Sequence, residues 1–308
     1  MTDKLPALSL VAVPGRRRLT VELAREIERR GFAGIFTPSL FGTLSLSAAL
    51  AWTTERIEFG TSIAPIYART VLDFAQSAAF LHEVSGGRFR LGIGVAHAPS
   101  QRRMGVEAGR PLTDIRAFVT RLRAVEGVGP LPPVVLAALR RKMVALAGEI
   151  GDGVVFANAA RGHMASSLAA LAPARRADPA FFIGAMIPTC ITPTGSTADL
   201  DAARAVNRRS LTGYAMMPNY RNYWKEAGFE ADMAAVERAL AEDRPGDVPA
   251  CLTDRWLDQV SLAGPAGRVR EGLDAWREAG VRTPILVPSS VAGNQLRAID
   301  EVFAAFAA

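Results

Sequence analysis

The stretch Ile57-Glu58-Phe59-Gly60-Thr61-Ser62-Ile63-Ala64-Pro65, then a helical segment, then Ser85-Gly86-Gly87-Arg88-Phe89-Arg90-Leu91-Gly92-Ile93-Gly94-Val95-Ala96-His97, reads as one strand-helix-strand unit. Both strands are apolar runs of the kind buried on both faces of a parallel sheet. Both end in small residues, where a flat ligand could approach the backbone. The second strand runs into His97, one of only three histidines with His82 and His163.

The same alternation extends in both directions. Strands are predicted near Leu8 to Val13, Gly34 to Phe36, Ile57 to Ile63, Phe89 to Gly94, Val134 to Ala138, Val154 to Ala157, Phe181 to Ile191 and Pro284 to Val287. Amphipathic helices separate them, and eight strands each followed by helix close most naturally into an α/β fold, a (β/α)8 TIM barrel with its site at the carboxyl ends of the strands. A doubly wound sheet is the alternative. The segment from about 192 to 264 is too long for one connection and reads as a helical insertion before the last strand, within a single domain spanning 1–308. It is punctuated by turn chemistry at Pro193-Thr194-Gly195, Met217-Pro218-Asn219 and Arg244-Pro245-Gly246-Asp247.

Composition narrows the function classes. The chain has 308 residues, 49% of them hydrophobic, and no apolar run approaches the ~20 residues that span a bilayer. The N-terminus lacks the pattern of a signal peptide, so a cytoplasmic protein is expected, with no membrane partner. The net charge of +6 comes from basic residues interleaved with Asp and Glu, which describes a solvated surface better than a nucleic-acid stripe. Only Lys4, Lys142 and Lys225 are lysines; the arginine and alanine richness resembles GC-rich bacterial coding. Cys190 and Cys251 have no metal-ligand spacing, and no metal site is expected. Gly92-Ile93-Gly94 fails as a dinucleotide fingerprint because the third glycine is missing.

Three pieces in order carry a family resemblance: Gly60-Thr61-Ser62-Ile63 with Arg69 following; Ser85 to Gly94; and Pro133-Val134-Val135-Leu136-Ala137-Ala138-Leu139 running into Lys142 to Gly153. Asp274 to Pro288 adds a final helix and strand. Together they resemble the luciferase-like monooxygenase superfamily, in its coenzyme F420-dependent oxidoreductase branch. The resemblance implies a barrel that lays a deazaflavin or flavin ring across its strand ends, with F420 as the coenzyme and FMN as the alternative. Thr61, Ser62 and Ile63 match the bulged strand end behind the ring, which often contains a non-proline cis peptide, expected here at Ser62-Ile63. Gly94, Val95 and Ala96 match the floor of the ring site. His97 matches the proton-handling position after the same strand, and an imidazole titrating near pH 6.5 can serve there as acid or base. His82 and His163 read as structural or solvated.

Ala137, Ala138, Leu139 and Arg140 lead into a helix whose N-terminus could receive a coenzyme phosphate. Relatives more often carry Gly-Pro where this chain has Arg140-Arg141, which fits either an added charge clamp or a site that binds its coenzyme differently. Asn158 resembles a polar residue beside the coenzyme tail. At the second strand, Phe36-Thr37-Pro38-Ser39-Leu40 replaces the family's acidic-histidine pair; Ser39 can contact a ligand but cannot replace a histidine in proton transfer.

The leading expectation is hydride transfer between reduced deazaflavin and a small organic substrate in a homodimer. An FMN-dependent monooxygenase and a non-catalytic barrel binding a ligand or partner subunit are the alternatives. The loop from Pro99 to Pro111 has no readable chemistry. Tyr214, Tyr220, Tyr223 and Trp224 read as helix-packing or dimer contacts before they read as pocket walls.

Overall fold

The structure is a computed structural model and describes residues 5–38 and 42–307. Its strands are β1 (Ala7–Ser9), β2 (Gly34–Thr37), β3 (Glu58–Thr61), β4 (Ala64–Pro65), β5 (Phe89–Gly94), β6 (Val134–Ala137), β7 (Gly153–Ala157), β8 (Phe182–Ile191), β9 (Leu262–Gly264) and β10 (Thr283–Ser289). The helices between them are α1 (Arg17–Arg29), α2 (Thr43–Thr53), α3 (Val71–Val84), α4 (Ala98–Met104), α5 (Pro111–Arg123), α6 (Arg141–Ile150), α7 (Met164–Leu168), α8 (Pro173–Ala177), α9 (Thr197–Ala215), α10 (Pro218–Glu226), α11 (Glu230–Ala241), α12 (Val248–Cys251), α13 (Asp254–Val260), α14 (Ala266–Glu278) and α15 (Gln295–Ala305).

All eight predicted strands are present, with two additions. The run predicted as one strand over Ile57 to Ile63 is divided into β3 and β4 by a bulge at Ser62-Ile63, so that β3 pairs with β5 at Phe59 and Gly60, and β4 pairs with it again at Ala64 and Pro65. The stretch expected to be an all-helical insertion contains β9, which pairs in parallel with the end of β8. The featureless loop after His97 contains a two-turn helix, α4.

The chain forms two compact units: Met1–Val155 with Ala169–Gly184, and Phe156–Leu168 with Ala185–Ala308. In the first, parallel pairing runs β1 to β2, β2 to β3, β3 to β5, β5 to β6 and β6 to β7. Its core is aromatic at several levels: Phe59 and Phe89 stack 5.6 Å apart, Phe36 lies 5.4 Å from Phe182, and Phe74 meets Phe118 edge-on. The close approach of β3 to β5 requires glycine. A Cβ on Gly92 would lie 1.8 Å from the Thr61 carbonyl oxygen, and one on Gly60 would lie 2.6 Å from that of Arg90. In the second unit β8 pairs with β9 and β10, and the core is built around Trp224, which meets Trp256 perpendicularly at 4.7 Å and Tyr220 at 5.4 Å. Among the described residues no helix is long and apolar enough to cross a membrane.

Candidate active site

The strands of the first unit are parallel, so their carboxyl ends share one side and bring together residues far apart in sequence. Thr37 ends β2, the Thr61 to Pro65 bulge ends β3, Gly94 ends β5 and Ala137 ends β6. The Ser62-Ile63 peptide is cis, as the resemblance implied. The Ser62 amide donates to the Thr37 carbonyl at 2.7 Å, and the Ile66 amide donates to the Gly94 carbonyl at 3.0 Å, which fixes the bulge from both sides.

Small residues here make room chiefly for the protein's own atoms. A Cβ at Gly94 would lie 3.0 Å from Ile63 Cγ1 and 3.1 Å from Ala137 Cβ, so Ile63, Gly94 and Ala137 form one apolar platform. The Thr61 hydroxyl, buried in the strand end, donates to the Gly92 carbonyl at 2.6 Å. The Ala138 amide donates to the Val155 carbonyl, which leaves its backbone within the sheet. Ala138 is buried, while Ala137 and Leu139 are half-buried.

Beyond Gly94 the chain turns sharply. Ala96 has φ +58°, the left-handed region that a residue with a Cβ seldom enters. His97 follows in an extended conformation as the N-cap residue of α4. The ring is half-buried, and loss of water around it pulls its pKa below the ordinary 6.5, so neutral imidazole is the favoured form. A neutral imidazole offers one donor and one acceptor, the requirement for passing a proton in either direction.

Arg140 is exposed and is the N-cap residue of α6, whose first turn contains Arg141 and Lys142, no acidic residue and no side-chain cap. The helix amides and these cations together can hold an anion. Ser39 lies outside the described residues.

Asn158 belongs to the second unit. It too is left-handed, with φ +56°, and is buried. Its amide donates to the Met186 carbonyl, and its carbonyl accepts from Trp224 Nε1 at 3.0 Å. The hydroxyls of Tyr214 and Tyr220 interact with its side chain, although burial drives both phenol pKa values up. Its Nδ2 is nevertheless a buried donor with no hydrogen bond of normal geometry. The Tyr214 ring packs 5.0 Å from that of Tyr220, and Tyr220, Tyr223 and Trp224 are nearly or fully buried. Tyr220, Tyr223 and Trp224 form a packing cluster within this unit. His163 packs edge-on to Tyr223, whose hydroxyl accepts from the Ala160 amide; His82 lies on α3 with a buried Nδ1.

Sequence reasoning passed over two contributors. Gln101 donates from Nε2 to the Val95 and Ala96 carbonyls, at 3.0 and 3.3 Å. Tyr67, two residues past β4, donates to Asp114 on α5 at 2.5 Å, and burial pushes its phenol pKa up. Neither has a motif: Gln101 reaches back across its own turn, and Tyr67 reaches a helix 47 residues further along the chain.

The luciferase-like monooxygenase family profile matches residues 8–283, and the chain belongs to that family. Its members are oxidoreductases or monooxygenases that depend on F420 or flavin. A Mycobacterium tuberculosis protein of uncharacterized activity is 27% identical, covering 85% of this chain and 87% of its own. A second M. tuberculosis protein, provisionally named a coenzyme F420-dependent oxidoreductase, is 26% identical, covering 87% and 90%. The 5,10-methylenetetrahydromethanopterin reductase of Archaeoglobus fulgidus is 26% identical, covering 83% and 84%. Among solved structures, the coenzyme F420-dependent tetrahydromethanopterin reductase of Methanopyrus kandleri superposes with a TM-score of 0.74 over 97% of each chain, at 17% identity. The FMN-bound oxygenating component of 3,6-diketocamphane monooxygenase from Pseudomonas putida superposes at 0.57 over 92% of each, also at 17% identity. The fold is the (β/α)8 barrel of these proteins.

The residues present fit a flat tricyclic ring. The platform of Ile63, Gly94 and Ala137 is apolar, and the backbone of Val95 and Ala96 follows it directly.

Proposed function

We propose that this chain is an F420-dependent oxidoreductase that transfers hydride between reduced deazaflavin and a small organic substrate. The observation that supports it most directly is the apolar platform of Ile63, Gly94 and Ala137 leading within three residues to the desolvated imidazole of His97. The names of the sequence relatives favour deazaflavin over FMN, since two of the three point to F420 or pterin reduction. When bound, a deazaflavin supplies two-electron hydride chemistry.

The chain's own residues do the rest. Ser62 and Ile63 back the ring, and Thr61 locks that bulge onto β5 through Gly92. Gly94, Val95 and Ala96 present backbone to the ring's edge, and Ala137, Ala138 and Leu139 continue that wall toward α6. Arg140 and the α6 N-terminus would hold the coenzyme's anionic portion. His97 Nδ1 or Nε2 gives a proton to, or takes one from, the substrate atom beside the carbon that exchanges hydride.

The first test is a parallel titration of the purified protein with F420 and FMN, followed by fluorescence. Micromolar F420 binding with little FMN binding is expected. Tight FMN binding with none for F420 would replace this reading with the flavin-dependent monooxygenase, and binding of neither would favour a non-catalytic barrel.

The same reading includes a homodimer in a bacterial cytoplasm. Its support is the outer face of α2 and α3: α2 has no charged residue, and Trp52, Leu72 and Phe80 are all more than half exposed. A groove of about 650 Å³ along these helices is lined by Leu44, Ala48 and Phe80 and by none of the strand-end residues above. Light scattering of the wild type and of Trp52→Glu tests it: a dimer that the substitution dissociates is expected, and a monomeric wild type would refute it.

A further inference from the structure

We infer that Gln101 is a positioning residue for His97, its carboxamide fixing the left-handed turn at Ala96 that delivers the imidazole to the strand end. Among the described non-glycine residues, only Ala96, Asn158 and Asp243 have φ near +55°. Asn and Asp tolerate that region because a short polar side chain can bond locally, whereas alanine has no such group. The compensation at Ala96 must therefore come from elsewhere. Gln101 provides it, because its Nε2 donates to the consecutive carbonyls of Val95 and Ala96. The same residue closes the turn through its backbone: its amide donates to the His97 carbonyl at 2.9 Å, and its carbonyl accepts from Val106 at 3.2 Å. Val95, Ala96 and His97 are thus held from one position in α4.

The chemistry of the contact is specific. Two carbonyl acceptors require an NH2 donor, so a glutamate of the same length, ionised at neutral pH, would face them with lone pairs alone. A leucine would fill the space and bond neither. In either case Ala96 loses what holds it in the left-handed region and His97 moves toward water. The half-burial that now keeps the imidazole neutral would then be relaxed.

This inference rests on the reading of His97 as the proton-handling group, but its test does not require coenzyme. The full chain has only three histidines, so the His97 imidazole resonance can be followed by NMR through a pH titration and assigned with His97→Asn. In Gln101→Leu and Gln101→Glu the His97 titration is expected to move up toward that of a solvated histidine. In the double variant Ala96→Gly/Gln101→Leu it is expected to return most of the way, since glycine enters the left-handed region without a Cβ penalty. In turnover, Gln101→Leu should lower kcat roughly 10- to 100-fold with KM little changed, the pattern of a misplaced group and not of lost binding. A wild-type His97 titration in Gln101→Leu, or a glycine that restores nothing in the double variant, overturns the inference. Should Gln101→Leu fail to fold, Gln101→Met, which adds no charge beside the imidazole, decides by the same titration. Full activity in His97→Ala would instead refute the proton-handling reading, while leaving the titration result to judge Gln101.

Discussion

At the amino ends of β3 and β5, the Arg88 guanidinium donates to the carbonyls of Ala51, Thr54, Ile57 and Ser85 and to the Thr54 hydroxyl. Close by, the Glu28 carboxylate accepts the amides of Glu55, Arg56 and Ile57; burial alone would raise its pKa, but these three bonds hold it below the ordinary value. Every polar group there is spent on chain geometry. At the carboxyl ends of β5 and β6, an alanine is held left-handed, a histidine is half-buried, and α6 starts with cations where a capping acid would be more stable. α3 shows that the sequence can cap a helix: Thr70 accepts from the Asp73 amide. Under the proposed function, the contrast is between an end that serves stability and one that serves chemistry, the division expected of barrel enzymes.

The sharpest break should come where the two ends meet. Gly92 lies on β5 between them, and a methyl group 1.8 Å from the Thr61 carbonyl cannot be accommodated without separating β3 from β5. Gly92→Ala should fail to give folded protein, read as loss of the near-UV circular dichroism signal and of soluble yield. Recovery of a wild-type melting curve would show that the strand spacing at the bulge is adjustable.

The next pair of substitutions should have crossed effects. His97→Ala is expected to lower kcat by about 10²- to 10⁴-fold with a nearly unchanged melting temperature. Arg88→Met leaves several backbone acceptors unpaired and should cost about 2–4 kcal/mol, a fall in melting temperature on the order of 10 °C. Its folded fraction should keep a near-normal kcat. If Arg88→Met abolished turnover below its melting point, the division of labour between the two ends would collapse.

Which parts of this contrast the sequence made legible follows from how they are built. The strands were readable because burial on both faces leaves a continuous apolar run, and the Ser62-Ile63 bulge was readable because a family motif passes through it. The division of the third strand was not, since Phe59-Gly60 before the bulge and Ala64-Pro65 after it read as one run and periodicity does not register one misaligned peptide. Gln101 and Tyr67 were illegible for another reason: their partners, Val95 with Ala96 and Asp114, are fixed by the fold and not by a spacing. The second-unit aromatics were half readable. Their apolar character was evident, but whether Trp224 faced a partner or Asn158 depended on how α10 packs.

A smaller effect separates the ends by pH. The His97 pKa is lowered on folding, so above about pH 6.5 both folded and unfolded chains hold it neutral and it contributes no slope. As pH falls below that value the unfolded chain binds the proton first, and stability is lost until the folded-state pKa is passed. Melting temperatures measured from about pH 8 to about pH 5 should therefore decline more in the wild type than in His97→Asn. Parallel curves would place His97 in water and remove the electrostatic basis for its role.

The mildest substitution tests whether the carboxyl end sacrifices stability at all. Arg141 lies in the first turn of α6, where a cation opposes the helix dipole and an anion would favour it. Arg141→Glu should raise stability by about 0.3–1 kcal/mol, a degree or two in melting temperature. The same change should weaken F420 binding several-fold at low salt, because it places a carboxylate where the coenzyme's anionic portion is proposed to lie. The penalty should shrink as salt screens the charge. The two signs must be opposite: a variant both more stable and equally tight in binding would mean that Arg140 and Arg141 hold no ligand, and that α6 begins with cations for no reason visible in the site.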